Sequence, residues 1–415
     1  MTTFYALLLP LIILFCGLTL DVANLELTKM RMQSAADAAA LGAQVAHDRE
    51  DTAWVDDGIA DAGSNGFTNG VNGVVTTIAE QPSTGNYAGD YDAIAVTISE
   101  PVSTYFMQTA GINSLTVSAQ ATSIMTPCSY FTGAKSLTTY ALNLSTGSSI
   151  GRWGGSTMGC TIYVGTGLKV DTNSSLWTNA ENVVGSASSS SLSGGIFHAP
   201  RYGATAYSDP LSSITQPVFS SCSHPAGTGV TAGTAAVHIT ANGTYTLNPG
   251  TYCGGLNFSG GGTFTLNPGL YIICGGANWN GVNVTGTGVT LFFTQKGDNV
   301  YGQFIVTMGT YTLSAPASGA SAGIPRVVVF GDRNWVNTSA SGQDFQFLSG
   351  VYKGDGIYYT TGTGIEVFTS TFSGTDYFGF DTDNMLIVSS AVSPLGNYSA
   401  FSDGNPFRPL GGVVE

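Results

Sequence analysis

The chain has 415 residues, of which 43% are hydrophobic and 9% are charged, and its formal net charge at pH 7 is −14. This length and apolar content allow two or three folded domains and exclude a disordered tail or linker. The acidic excess excludes nucleic acid as an expected partner, because few basic side chains are present to displace counterions from phosphates. The 56 glycines and the low charged fraction are typical of an extracellular protein rich in β-structure.

The first element along the chain is an uncharged apolar run over residues 4–20. No basic residue precedes this run and no helix-breaking segment follows it, which argues against a cleaved secretory signal. The sequence after the run is rich in good helix formers, so we predict one uninterrupted helix over residues 1–51. Only its first third could lie in lipid, and Pro10 should kink it or remove one backbone hydrogen bond. The candidate membrane and assembly residues are Phe4, Leu8, Pro10, Ile13, Phe15, Leu18 and Leu20.

Small residues make the second half of this helix narrow. Narrow helices can approach one another closely, which favours bundling with helices of neighbouring copies. The alternative is an ordinary Ala-rich helix that packs on its own globular domain. The residues concerned are Ala35, Ala36, Ala39, Gly42 and Ala43.

Residues 52–126 are predicted to form a small α+β unit. Alternating apolar and polar residues indicate strands over residues 74–78, 93–98 and 115–119, and a short helix is expected over residues 105–107.

Residues 127–415 are predicted to form a β-solenoid resembling a parallel β-helix. The stretch TYTLNPGTY at residues 244–252 recurs nineteen residues later as TFTLNPGLY at residues 263–271. Each copy offers a strand, an Asn-Pro-Gly turn and a second strand, as one coil of a solenoid requires. The alternative architecture is a β-sandwich of short strands. Further coils are expected over residues 282–294, 302–313, 326–331, 345–352, 356–359 and 365–372.

Five cysteines lie in this β-rich region and are disulfide candidates. Cys128 and Cys160 flank one loop-rich module and are expected to pair. Cys253 could pair with Cys222, or with Cys274 if equivalent positions stack on adjacent coils. The sequence does not choose between these alternatives.

The sequence gives little support for catalysis or for a bound metal. The four histidines are scattered, and no spacing typical of a zinc, phosphate-binding or hydrolase site occurs. The densest acidic groups are Asp381 with Asp383 and Asn384, followed by Lys353 with Asp355, and none of them has the density of a catalytic face or the spacing of a calcium loop. We therefore expect no enzyme activity, no catalytic residue, no metal and no cofactor.

Tryptophans offer a different possible site in the β-rich region. Exposed aromatic rings can stack on sugars, although core packing is the more common role of such residues. The candidates are Trp153, Trp177, Trp279 and Trp335.

The N-terminal motifs carry a family resemblance. The stretch FYALLLP at residues 4–10, the apolar run and QSAADAAAL at residues 33–41 resemble the N-terminus of pilin-like proteins of the Tad (tight adherence, Flp) system, of the TadE/TadG type. The stretch PVSTYFMQTAGINSLTVSAQATS at residues 101–123 is similar to the segment that follows the helix in these proteins.

The resemblance implies a structural subunit of an extracellular pilus. Its helix would be held in the inner membrane before assembly and then bundle with other copies, with the β-domain displayed outward for surface adhesion. The implied partners are other copies of the chain and the inner-membrane pilus assembly machinery, with surface polysaccharide as a further candidate. The alternative functions are a membrane-anchored or pilus-tip adhesin that binds carbohydrate and, third, a polysaccharide-active β-helix enzyme.

Overall fold

The protein is described by a computed structural model, and the chain divides into two compact units, within Met1–Met125 and Thr126–Arg408. The fold is mainly β with a long N-terminal helix and a body of parallel sheets, so the predicted fold class is confirmed. The structure describes residues 2–48, 53–80, 82–84, 93–124, 129–134, 139–151, 162–178, 181–196, 200–203, 209–317, 323–335, 343–374, 377–393 and 395–396.

The first unit packs two helices on a three-stranded antiparallel sheet. The long helix continues through Pro10, and each predicted strand is present at nearly its predicted position. The second helix was not predicted. The elements are α1 (Thr2–Asp48), α2 (Trp54–Ser64), β1 (Val75–Glu80), β2 (Ala93–Ser103), a 3₁₀ helix (Met107–Ala110) and β3 (Ser114–Ile124).

The second unit is a parallel β-helix with three faces. Neighbouring coils pair in parallel, which favours the solenoid over the β-sandwich. Among the described residues, ten strands stack along the first face: β4 (Ser129–Phe131), β7 (Ile162–Val164), β10 (Glu181–Val183), β13 (Arg201–Tyr202), β16 (Gly250–Cys253), β19 (Gly269–Cys274), β21 (Val289–Thr294), β23 (Val327–Gly331), β26 (Gly356–Thr360) and β29 (Tyr377–Thr382). A short strand, β32 (Leu395–Gly396), pairs with β29 in the antiparallel sense.

The other two faces belong to one continuous sheet. The two longest strands, β20 (Ala277–Thr287) and β22 (Phe304–Ser314), run along both faces. The rest of the second face consists of β5 (Tyr140–Ser145), β8 (Gly167–Val170), β11 (Ser191–Leu192), β14 (Val237–Ile239), β17 (Leu256–Phe258), β24 (Gln343–Leu348), β27 (Gly364–Phe368) and β30 (Met385–Val388). The rest of the third face consists of β6 (Ser149–Ile150), β9 (Ser175–Leu176), β12 (Gly195–Ile196), β15 (Thr244–Leu247), β18 (Thr263–Leu266), β25 (Val351–Lys353), β28 (Thr371–Ser373) and β31 (Ala391–Ser393).

The coils do not stack in chain order. The coils formed by residues 237–393 build toward the middle of the stack, and there β29, β30 and β31 pair with β4, β5 and β6. The coil of β29, β30 and β31 therefore stacks directly on the coil of β4, β5 and β6, although the two coils are far apart in sequence. We call the three pairings β29–β4, β30–β5 and β31–β6 the seam.

Serine side chains connect neighbouring coils at the corner between the second and third faces. The Oγ of Ser370 accepts a hydrogen bond from Gly350 N, and the Oγ of Ser390 accepts one from Ser370 N. Ser148 continues the row across the seam, because its Oγ donates to Ile387 O. The Oγ of Ser174 in turn accepts a hydrogen bond from Ser148 N. Each of these four serines follows a residue with positive φ, which makes the corner turn.

Residues 209–236 connect the two ends of the stack, and we call them the strap. Leu211 and Ile214 of the strap pack against apolar side chains of the first face. Arg333 fixes this segment, because its guanidinium donates to Leu211 O and to Ile214 O at 2.8 and 3.0 Å. At its midpoint the strap carries Cys222, which forms a disulfide with Cys253.

The disulfide Cys222–Cys253 is one of the two predicted alternatives. Cys253 and Cys274 are neighbours in register on adjacent coils, as predicted, but Cys274 is a buried free thiol. The other predicted pair, Cys128 with Cys160, lies outside the described residues.

Stacked aromatic rings fill the interior of the solenoid. Tyr311, Tyr352 and Phe372 occupy equivalent positions on successive coils, with ring centroids 5.1 and 4.5 Å apart. Tyr252 and Tyr271 of the repeated TLNPGxY coils also stack, with ring centroids 5.8 Å apart, although they are not direct register partners. Burial of these large rings, together with the aliphatic side chains of the same core, stabilises the solenoid.

Candidate assembly surface on the N-terminal helix

The small residues of α1 pack inside the first unit. Ala35, Ala36, Ala39 and Ala43 are fully buried in contact with the rest of this unit. A Cβ added at Gly58 of α2 would lie 2.9 Å from the Cβ of Ala43, so the two helices approach as closely as their side chains allow. The structure therefore supports the second interpretation of these residues, packing on their own domain.

Gly42 also lies in close contact with α2. A Cβ at this position would collide with the carboxylate of Asp61 on α2. The predicted helix-packing residues thus hold α1 on α2 and on the sheet.

A second contact holds α1 to the loop between β2 and β3. Gly17 lies against the ring of Phe106, and a Cβ at Gly17 would lie 2.2 Å from a ring carbon. One turn later, the Asp21 carboxylate accepts hydrogen bonds from the backbone N–H groups of Tyr105, Phe106 and Met107 at 2.7–2.8 Å. Asp21 is 1% exposed, so these donors enclose it.

The environment of Asp21 lowers the pKa of its carboxyl group. Desolvation raises this pKa, but the three backbone hydrogen bonds from Tyr105, Met107 and Phe106 outweigh it. Sequence reasoning missed this anchor, and the one available signal was Asp21 itself, the first charged residue after the apolar run.

Replacing Asp21 by Asn should loosen this anchor. The folded-state pKa lies below the unfolded value, so the stability that Asp21 contributes is present above about pH 4 and is lost as pH falls through the folded pKa. We expect D21N to speed amide hydrogen exchange at residues 105–107 at pH 7 and to flatten the acid-induced loss of stability. Glu26→Gln, one turn later and exposed, is the control. Equal exchange in the two variants would contradict the anchoring role.

The opposite side of α1 exposes apolar side chains. Phe15, Leu18 and Val22 follow the i, i+3, i+7 spacing of one helix face and are 61, 42 and 47% exposed. Leu20, Leu27 and Met30 extend this surface at 62, 43 and 61% exposure. We call these six residues the apolar surface of α1.

The side chains of Phe4, Leu8, Pro10 and Ile13 are outside the part of the chain whose side chains are described. Helices within the described residues lack the combination of length and apolar content that a bilayer crossing requires.

The second unit does not gather the predicted polar residues into a reactive site. Asp381 is fully buried, and the side chain of Asp383 accepts a hydrogen bond from Asn384. Lys353 is exposed and Asp355 is half-buried. Within the described ranges, no three His, Cys, Asp or Glu side chains lie close enough together to hold a metal ion.

The candidate sugar-stacking tryptophans are mostly internal. Trp279 and Trp335 are 0 and 3% exposed, and the Trp335 indole donates to Asp344. Trp177 is half-buried, and Trp153 lies outside the described residues.

Two family models match the N-terminal part of the chain. Residues 1–47 match a model described as putative Flp pilus-assembly TadE/G-like, and residues 26–123 match one described as putative Tad-like Flp pilus-assembly. The resemblance to Tad-type proteins is therefore confirmed over residues 1–123. No curated protein and no solved structure matches the chain significantly.

Proposed function

We propose that this chain, which is of the Tad type over residues 1–123, is a structural subunit of an extracellular Flp-type pilus. The observation that carries the proposal is the apolar surface of α1, which overlaps the end of the uncharged run of residues 4–20 and extends from it to Met30. In this function the N-terminal part of α1 lies in the inner membrane before assembly. It then packs against the same part of other copies.

The division of α1 into two parts supports this function. From Met32 onward the helix buries its small residues in its own unit, whereas between Phe15 and Met30 it exposes large apolar ones. Transfer of such side chains from water into a contact contributes about 0.8 kcal/mol per buried CH₂ group. A neighbouring helix can therefore gain most from the N-terminal part.

We assign the β-helix a role in adhesion rather than in catalysis. It has a stacked aromatic interior, and its carboxylates are dispersed or buried. The partners in this function are other copies of the chain and the inner-membrane assembly machinery, and the location is the cell surface.

Charged substitutions on the apolar surface test the assembly role. The double variant Leu27→Glu, Met30→Glu should remove the chain from sheared surface filaments, because two carboxylates would be buried in each helix contact. Both residues are exposed, so the first unit should still fold. Filaments are scored by negative-stain microscopy and mass spectrometry of the sheared material.

The matched control is Val75→Glu, which places a carboxylate at an apolar residue of β1 that is 54% exposed. Its filaments should be normal. Recovery of the wild-type chain from membranes alone would reject the subunit role and favour the membrane-anchored adhesin.

A further inference from the structure

We propose that the loop of residues 104–112 contacts the headgroup region of the lipid bilayer while α1 is held in the membrane. We call this segment the collar loop. The inference rests on the proposed function, in which residues 4–20 lie in lipid before assembly. The partner is a lipid surface, and the collar loop would set how deeply the first unit sits on it.

The position of the collar loop on α1 is fixed. Its backbone N–H groups at residues 105–107 bind Asp21, and the Phe106 ring lies against Gly17. The loop is also closed on itself, because Thr104 N donates to Asn113 O and the Thr104 hydroxyl donates to Ile112 O. The loop therefore cannot slide along the helix without breaking both contacts.

This position coincides with the end of the apolar run. Seventeen helical residues span about 25 Å, which is less than the roughly 30 Å of a bilayer hydrocarbon core. A helix that uses all of residues 4–20 in lipid must bring Gly17 and Asp21 to the membrane boundary. The collar loop, bound at these two residues, must then reach the same depth.

The composition of the collar loop suits that depth. No charged residue occurs from Pro101 to Ala134. The loop exposes Tyr105 at 66% and Ile112 at 43%, a tyrosine and an aliphatic side chain of the kinds found at bilayer interfaces.

Asp21 is the charged residue closest to this boundary, and it does not oppose lipid contact. Its carboxylate is enclosed by three backbone donors and is 1% exposed. Hydrogen bonds to a buried carboxylate offset part of the cost of removing it from water, and the group keeps its negative charge. The anchor thus lowers the cost of bringing Asp21 to the membrane boundary.

Spin labels on the full chain in liposomes test whether the collar loop contacts the headgroup region. Single cysteines are placed at Ile112→Cys in the loop, at Leu8→Cys in the apolar run and at Ser83→Cys, an exposed site beyond β1, in a background in which the free cysteines Cys16 and Cys274 are replaced by Ala. The depth of each nitroxide is read from its accessibility to oxygen and to a water-soluble nickel chelate. We expect residue 8 in the acyl region, residue 112 at the interface with several-fold lower nickel accessibility than residue 83, and residue 83 in water.

The outcomes separate the collar from the function on which it rests. In one outcome, the nitroxide at residue 112 is as accessible to nickel as the one at residue 83 while residue 8 lies in lipid. This result overturns lipid contact by the collar loop and leaves the membrane-held helix intact. A nitroxide at residue 8 in water rejects the membrane-held helix and the collar with it. Protection of residue 112 in filaments but not in liposomes assigns the loop to a contact between copies and overturns lipid as its partner.

Discussion

A chain cut by a protease after residue 218 should remain one particle under native conditions. Val218 in the strap is 79% exposed, so a cleavage site inserted there should be accessible. Residues 129–203 then belong to one fragment and residues 237–393 to the other, and the seam joins them by parallel strand pairs on all three faces. Size-exclusion chromatography of the nicked protein should give a single peak containing both fragments.

Ile387→Ala in the nicked protein should weaken this association. Ile387 is fully buried at the seam, where it pairs in register with Leu144 of the other fragment. Removing a buried Ile side chain costs about 2–5 kcal/mol, and about 1.4 kcal/mol corresponds to a tenfold change in affinity. The fragments should then dissociate on dilution.

Val306→Ala is the matched control. Val306 is also fully buried at the equivalent strand position, but its register partners, Trp279 and Phe347, belong to the same fragment. It should lower thermal stability without releasing the fragments. Equal release by the two variants, or free fragments from the wild type, would contradict the seam.

The repeated coils were predictable because their sequence repeats. Thr244 pairs with Thr263 and Leu247 with Leu266, in the register that the two TLNPGxY copies predict. The same stretches hold the stacked Tyr252 and Tyr271. The period thus identified the architecture and the register on the third face, whereas on the first face Tyr252 pairs with Ile273, two residues beyond its repeat equivalent.

The seam was not predictable from that period. Its paired strands lie about 240 residues apart in sequence and carry no common repeat, and β6, β9 and β12 are only two residues long. One signal was available: Ser148, Ser174, Ser370 and Ser390 are each followed by a small residue and then an apolar one, on both sides of the seam. The corner hydrogen bonds explain why serine recurs there.

The packing partner of the long helix α1 could not be predicted from its sequence. A pattern of small residues such as Ala39 and Ala43 reports that something approaches closely, but not whether it is the same chain or another copy. The nearby helix α2 contains Gly58, which is unfavourable for a helix and yet gives the space that Ala43 needs. Tertiary packing determines both which surface the small residues of α1 contact and why a glycine is accommodated in α2.

Asp381, also at the seam, is in an environment that disfavours its charge. It lies in β29 between Tyr359 and Tyr130 of the neighbouring strands and is 0% exposed, and neither carboxyl oxygen has a hydrogen-bond partner among the residues that the structure describes. Desolvation raises the pKa of this carboxyl group well above its usual range, and Asp209 raises it further, whereas Arg333 lowers it. Asp209 itself accepts a hydrogen bond from the hydroxyl of Tyr359 at 2.6 Å.

Asp381→Asn should therefore stabilise the β-helix at neutral pH. Below about pH 4 both the folded and the unfolded states carry a protonated Asp381, and the side chain costs nothing extra. As pH rises, the unfolded state releases this proton first, so stability falls by about 1.4 kcal/mol per pH unit until the folded pKa is reached. Asn cannot ionise, so the variant should gain at pH 7 and lose its advantage near pH 4. Urea unfolding between pH 4 and pH 8, followed by circular dichroism, measures both effects.

Asp298→Asn is the control for this experiment, since Asp298 is an exposed carboxylate that faces Lys296 at 3.7 Å. It should change stability little at any pH, because exposed ion pairs contribute at most about 1 kcal/mol. A D381N variant that is less stable than wild type at pH 7, or that keeps the wild-type pH slope, would show that Asp381 is charged and paired in the folded chain. The expected result would instead mean that the seam tolerates a neutral carboxyl group at a cost in stability that grows with pH.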